Sequence, residues 1–231
     1  MSTASTPPIG AVRPPLSSFT PRERRIIRRL RTPFQVQRFL NALPYNTEPP
    51  PKGATQRTFR GVINHHSAHC LEAALTAAVI LEQHGWPPLV MSFESIDELD
   101  HVLFVYRKKE RWGSIGRSRD PGLHGRKPVF RRLRDLALSY VDPYVDLTGG
   151  VRGYGVADLR ALMGRYDWRL SPKNVWAVEQ ALIVLPHRAI KTDHERIERL
   201  RRKYRVYLDR HGRKPIFYDR SRWTPIPASF A

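Results

Sequence analysis

Residues 70–81 read CLEAALTAAVIL, and this run decides the fold. Only Glu72 and Thr76 are polar, so the segment is apolar nearly all round and predicts a helix buried on every side. His84-Gly85 and then Pro87-Pro88 end it. LVMSF (89–93) predicts a strand. After the polar turn 94–100, HVLFVYR (101–107) is a near-continuous apolar run suited to an inner strand. The charged turn KKER (108–111) leads into RWGSIGRS (111–118), which predicts the returning arm of a hairpin. FRRLRDLALSYV (130–141) predicts an amphipathic helix with Leu133, Leu136, Ala137 and Tyr140 inward, and VDPYVDLTG (141–149) a short extended segment.

Towards the N-terminus, residues 1–19 are rich in Pro, Ser and Thr without apolar periodicity and are expected to be a disordered arm. Thr20-Pro21 predicts a helix start, with Ile26, Ile27 and Leu30 on its apolar side. Pro33 interrupts that helix, and Phe34, Val36, Phe39, Leu40 and Leu43 predict a second. TEPPPKGAT (47–55) predicts a surface loop. Beyond residue 150 the signals are helical: VADLRALMG (156–164), NVWAVEQALIVL (174–185) and a long basic helix over 193–212. FYDRSRWTPIP (217–227) predicts an extended tail. Helices first, then adjacent strands joined as hairpins, argue for an α+β fold. The expected division is an arm (1–19), a core with N-terminal helices (20–150) and a helical C-terminal extension (151–231).

With 231 residues, 41% hydrophobic and 26% charged, the chain has material for a real core, which excludes collagen-like and wholly disordered classes. Cys70 is its one cysteine, so no internal disulfide framework exists, and a reducing compartment is expected. No apolar run reaches the ~18 residues of a membrane span, and MSTASTPPIGAVRPP lacks a secretory h-region. The expectation is a soluble cytoplasmic protein. Forty Lys+Arg against 21 Asp+Glu give a net charge of +19, which draws phosphate-rich or acidic partners. Zinc-finger spacings and RNA-recognition aromatics are missing, as are Walker, Rossmann and serine-hydrolase patterns. Any nucleic-acid binding is therefore expected to be non-specific.

Chemistry concentrates at the head of the buried helix. Cys70 stands where first-turn N–H groups lack helical partners and the helix dipole favours an anion. Such a cysteine can ionise near neutrality. The next requirement is a base, and His101 opens the inner strand.

HCLEAALTAAVILEQHGWPP (69–88) followed by DHVLFVYRKKERWGSIGRS (100–118) resembles bacterial members of the transglutaminase-like superfamily, over about residues 60–145. The resemblance implies a papain-like core: a buried cysteine helix packed on an antiparallel sheet that carries the histidine and an acid. It makes Cys70 the nucleophile and His101 the general base, acting on a peptide or protein amide by acyl transfer or hydrolysis. The acid is usually about four residues past a tryptophan, here Trp112, and that position is Gly116. Ser118 and Asp120 are the expected substitutes. If neither serves, the site is a Cys-His dyad or an inactive descendant that binds an acidic partner through its basic surface. Asn64, His69 and Trp112 are expected to shape the cleft, with Asp100 further out. His65 and His69 with Cys70 and His101 offer a conceivable zinc set, but no CxxC accompanies them, and neither metal nor cofactor is expected.

Overall fold

A computed structural model describes residues 12–49, 53–98, 100–191 and 193–213. In chain order the elements are α1 (Pro21–Arg29), α2 (Pro33–Ala42), α3 (Phe59–His65), α4 (Cys70–Glu82), β1 (Leu89–Ser95), β2 (His101–Lys108), β3 (Arg111–Ile115) and β4 (Arg126–Phe130). Then come α5 (Leu133–Leu138), α6 (Val141–Tyr144), β5 (Val151–Asp158), α7 (Leu159–Met163), α8 (Trp176–Ile183), β6 (Arg188–Ala189) and α9 (His194–His211). The strands form one antiparallel sheet in the order β4-β3-β2-β1-β5-β6. The fold is α+β, with the cysteine helix against an antiparallel sheet.

Both faces of the sheet are covered, which is why its central strands read as continuous apolar runs. Val90, Val102, Phe104 and Tyr106 pack with α4 and the N-terminal helices. Met91, Phe93, Leu103 and Val105 pack with Leu136, Tyr140 and Tyr144 on the other side. Every residue of α4 after Cys70 is buried. Its alanines carry little side-chain bulk, so α2, α3 and the sheet can all pack against it.

Three expectations are corrected. The division at residue 150 cuts through the sheet, because 151–158 is not the start of a helical extension. It pairs with β1 from Leu89↔Asp158 to Ser95↔Val151, with a bulge at Glu94/Ser95. Glycines hide this strand: VRGYGVAD lacks the side chains that mark one, yet a Cβ on Gly155 would fall 2.7 Å from Leu185 Cδ2. The segment that follows is tied to α4 by a buried bidentate pair, Arg169 to Glu82 at 2.7 and 2.8 Å. Second, 141–144 within VDPYVDLTG is helical. Third, the end of the arm is ordered: Phe19 is 2% exposed, edge-on to Phe59 at 6.1 Å, and Gln83 Nε2 donates to the Pro14 carbonyl. Residues 1–11 and the tail 217–227 lie outside the described residues.

Candidate active site

The head of α4 is built by its first turn. His69 is the N-cap: its Nδ1 accepts the Leu71 N–H at 3.3 Å, and Glu72 Oε2 accepts the His69 N–H at 3.1 Å. Two donors left over at a helix start are thus satisfied reciprocally. Glu72 is fully buried and also accepts from Thr55 Oγ1 (2.8 Å), Asn46 Nδ2 (3.1 Å) and the Arg57 N–H (3.0 Å). One carboxylate therefore ties the loop before α3 to the turn that presents Cys70. The signal for it was in the sequence, as an acidic residue three positions after the cap.

Cys70 and His101 line one cleft of about 640 Å³. His101 is 3% exposed, and its Nε2 lies 3.0 Å from the Leu123 carbonyl oxygen. A carbonyl only accepts, so Nε2 must carry a proton. The neutral ring then leaves Nδ1 with a lone pair for the thiol. Burial works to raise the Cys70 pKa, but hydrogen bonding and positive charge from His101 and His69 outweigh it and bring it down to about 5. Burial opposes protonation of His69, yet the nearby thiolate and Glu72 raise its pKa to about 9. The two His69 nitrogens are already engaged in the neutral form, with Nε2 donating to the Thr55 carbonyl at 2.7 Å. A second proton on Nδ1, favoured by the thiolate and Glu72, would displace the bond from Leu71.

Ser118 and Asp120 were expected on the far nitrogen of His101. The Leu123 main chain holds that place instead, which corrects the expectation. Ser118 Oγ accepts the Asp120 N–H at 3.1 Å and closes a turn, while both residues remain in the cleft lining. Gly116, at the usual acid position, is clamped by Gln37 of α2: the Gly116 N–H donates to Oε1 at 2.9 Å and Nε2 donates back to its carbonyl at 2.8 Å. Of the expected cleft-shaping residues, only His69 lines the cleft. Asn64 is exposed on α3. Trp112 sits near the start of β3, away from the cleft lining, with the Arg107 guanidinium 5.9 Å from its ring. Asp100 does line the cleft, and its Oδ1 accepts the Ser95 N–H at 2.8 Å.

Among the described residues no group of three or more His, Cys, Asp or Glu is placed to hold a metal ion. No helix among them is long and apolar enough to cross a membrane. Leu123 is the residue that sequence reading missed, and no side-chain pattern announces a main-chain acceptor. Tyr144 was missed as well; its ring centroid is 6.4 Å from that of His101.

No protein-family model matches the chain, and no curated protein matches it. Among solved structures it is similar to Legionella pneumophila LapG, in the EGTA-treated form (TM-score 0.33, 15% identity, 44% of this chain and 66% of that one) and in the calcium-bound form (TM-score 0.32, 16% identity, 43% and 66%). The matched part is less than half of this chain and just under two thirds of LapG.

Proposed function

We propose that the protein is a transglutaminase-like cysteine enzyme that acts on an amide, by hydrolysis or acyl transfer, through a thioester on Cys70. One observation carries this reading: a cysteine at the head of a buried helix shares a cleft with a histidine whose far nitrogen is fixed by the Leu123 carbonyl. In the proposed cycle His101 Nδ1 takes the thiol proton and the thiolate attacks the amide carbonyl carbon. The electron pair moves to oxygen, which the Cys70 N–H can meet because a first-turn amide has no partner within the helix. Collapse breaks the C–N bond, and the amine leaves with the proton from His101. Water or an amine, deprotonated by the same imidazole, then releases the acyl group. Nε2–H keeps its bond to the Leu123 carbonyl throughout, so the ring need not turn.

A carbonyl is a weaker partner for an imidazolium than a carboxylate. That favours a second reading, in which the fold is kept for binding an acidic partner and the pair no longer turns over. Iodoacetamide labelling separates the two. At pH 6 Cys70 of the native chain should label at least tenfold faster than in the urea-unfolded chain, and His101→Ala should remove most of that advantage. Labelling no faster than the unfolded control would leave the binding reading.

A further inference from the structure

The cleft inverts the charge of the molecule. Asp97, Glu98, Asp100 and Asp146 line it from the segments after β1 and α6, Glu48 and Glu179 from those before α3 and in α8, and Asp120 follows Ser118; among the described residues the only Lys or Arg in its lining is Arg119. The chain as a whole holds 40 Lys+Arg against 21 Asp+Glu. Main-chain donors fix several of these carboxylates. Asp146 Oδ1 accepts the Thr148 and Gly149 N–H groups at 2.9 and 2.6 Å, and Glu48 Oε1 accepts the Thr55 N–H at 2.7 Å.

A second feature of the same cleft asks for a donor. Gln56 is 6% exposed, lines the cleft, and gives its Nε2 to Glu179 Oε1 at 2.7 Å. That bond fixes the amide's orientation, because the opposite flip would set two oxygens against each other. Gln56 Oε1 is left without a donor among the described residues, and a buried acceptor is costly to leave so. Trp176 stands three residues before Glu179 on α8, on the same helix face, and is 41% exposed. An indole face, a carboxylate and a buried, unpaired amide oxygen together suit an organic cation. An anion would be repelled, and among the described residues no metal-holding group is assembled.

We propose that Gln56, Glu179 and Trp176, with Glu48 beside them, form a subsite for an ammonium or guanidinium group of the substrate. The cation is either a basic side chain of the peptide whose amide is cut or the protonated far end of a diamine whose other, neutral amine receives the acyl group. The inference rests on the enzymatic reading for what happens to that substrate, but the binding itself does not need the nucleophile.

Binding is therefore measured on full-length Cys70→Ser, by titration calorimetry, with acetylated tripeptide amides that differ only in a central Lys, norleucine or Glu, and with 1,4-diaminobutane. The Lys peptide should bind at least tenfold tighter than the norleucine peptide, with the Glu peptide weakest. Glu179→Gln, which can still accept from Gln56, should lower Lys-peptide affinity about tenfold and leave the norleucine peptide unchanged. Gln56→Met should weaken the Lys peptide in the same selective way. A diamine that binds as tightly and depends equally on Glu179 supports the amine source; a preference confined to the Lys peptide supports the side-chain source. Lys and norleucine peptides within twofold of each other would overturn the proposal. So would indifference to Glu179→Gln, or displacement of the Lys peptide by micromolar calcium. Failure of Cys70 to label, with Lys selectivity intact, would count against the enzyme and not against the subsite.

Discussion

A Cβ on Gly116 would fall 2.2 Å from Leu103 Cδ2 and 3.4 Å from the Leu123 carbonyl oxygen. The space an acid side chain would need there is thus filled by Leu103 and by the carbonyl that orients His101. Gly116→Asp is accordingly expected to overpack, lowering stability by about 1–3 kcal/mol in urea unfolding, and not to speed Cys70 labelling. A stable variant that labels faster would show the slot to be open. The thiol itself gives a pH test. Its folded pKa of about 5 lies below the ~8.5 of a free cysteine. The ionised form is therefore favoured by folding, and its stabilisation is complete above the unfolded value and lost as pH falls through about 5. Native labelling should be half-maximal near pH 5 and level by pH 7; a rate that still climbs through pH 8 would contradict the coupling. Cys70 and His101 were legible because a thiol and an imidazole announce themselves as side chains. The Leu123 carbonyl was not, since every residue carries one and only the loop's path selects it.

That path is held by Arg126, the first residue of β4. Its guanidinium donates to the Gly122 carbonyl at 2.6 Å and the His124 carbonyl at 2.7 Å, and stacks 4.0 Å from the Tyr140 ring centre. Tyr140 Oη in turn donates to the His124 carbonyl at 2.9 Å and shares a hydrogen bond with Ser114 Oγ at 2.6 Å. A side chain 1% exposed therefore fixes the turn that brings Leu123 to His101. Arg126→Met keeps the bulk and removes the donors, taking from the Gly122 carbonyl its Arg126 hydrogen bond at a cost of about 1–3 kcal/mol, while Tyr140 still serves the His124 carbonyl. The expected result is a lower urea midpoint and slower Cys70 labelling at pH 6, with Cys70 and His101 untouched. Arg126→Lys should restore part of both. Unchanged labelling in a destabilised Arg126→Met would mean the turn holds without this clamp. The same contrast explains which elements could be read in advance. α4, β1 and β2 are buried on both sides and spell it in apolar runs, whereas β5 is paired along its length but carries Gly153 and Gly155, and α6 is a single turn built around Pro143.

Charge is divided between the outside of the molecule and its cleft, and no single stretch of sequence shows this, because the cleft's carboxylates come from five separate segments. Arg22, Arg25, Arg28 and Arg29 are exposed on α1, and Arg202, Lys203 and Arg205 on α9. α9 is held to the core by Arg196, whose guanidinium meets both Asp142 oxygens at 2.6 and 2.8 Å, and by buried Ile197 and Tyr204. Its remaining cations form an outer face. A polyanion is expected on such faces and not in the cleft, where carboxylates repel phosphate. Contacts made with phosphates alone release counterions, so log affinity for duplex DNA should fall by about 0.9 per phosphate neutralised for each unit of log salt. Preference between unrelated duplexes should be slight, since phosphate contacts do not read bases. Arg202→Glu with Arg205→Glu should weaken duplex binding several-fold and leave Cys70 labelling unchanged. Saturating duplex should likewise leave Cys70 open to iodoacetamide. Titrations of two unrelated duplexes at two salt concentrations, with labelling followed in parallel, test all of this. Protection of Cys70 by DNA would place the polyanion in the cleft and undo the assignment of that cleft to cations.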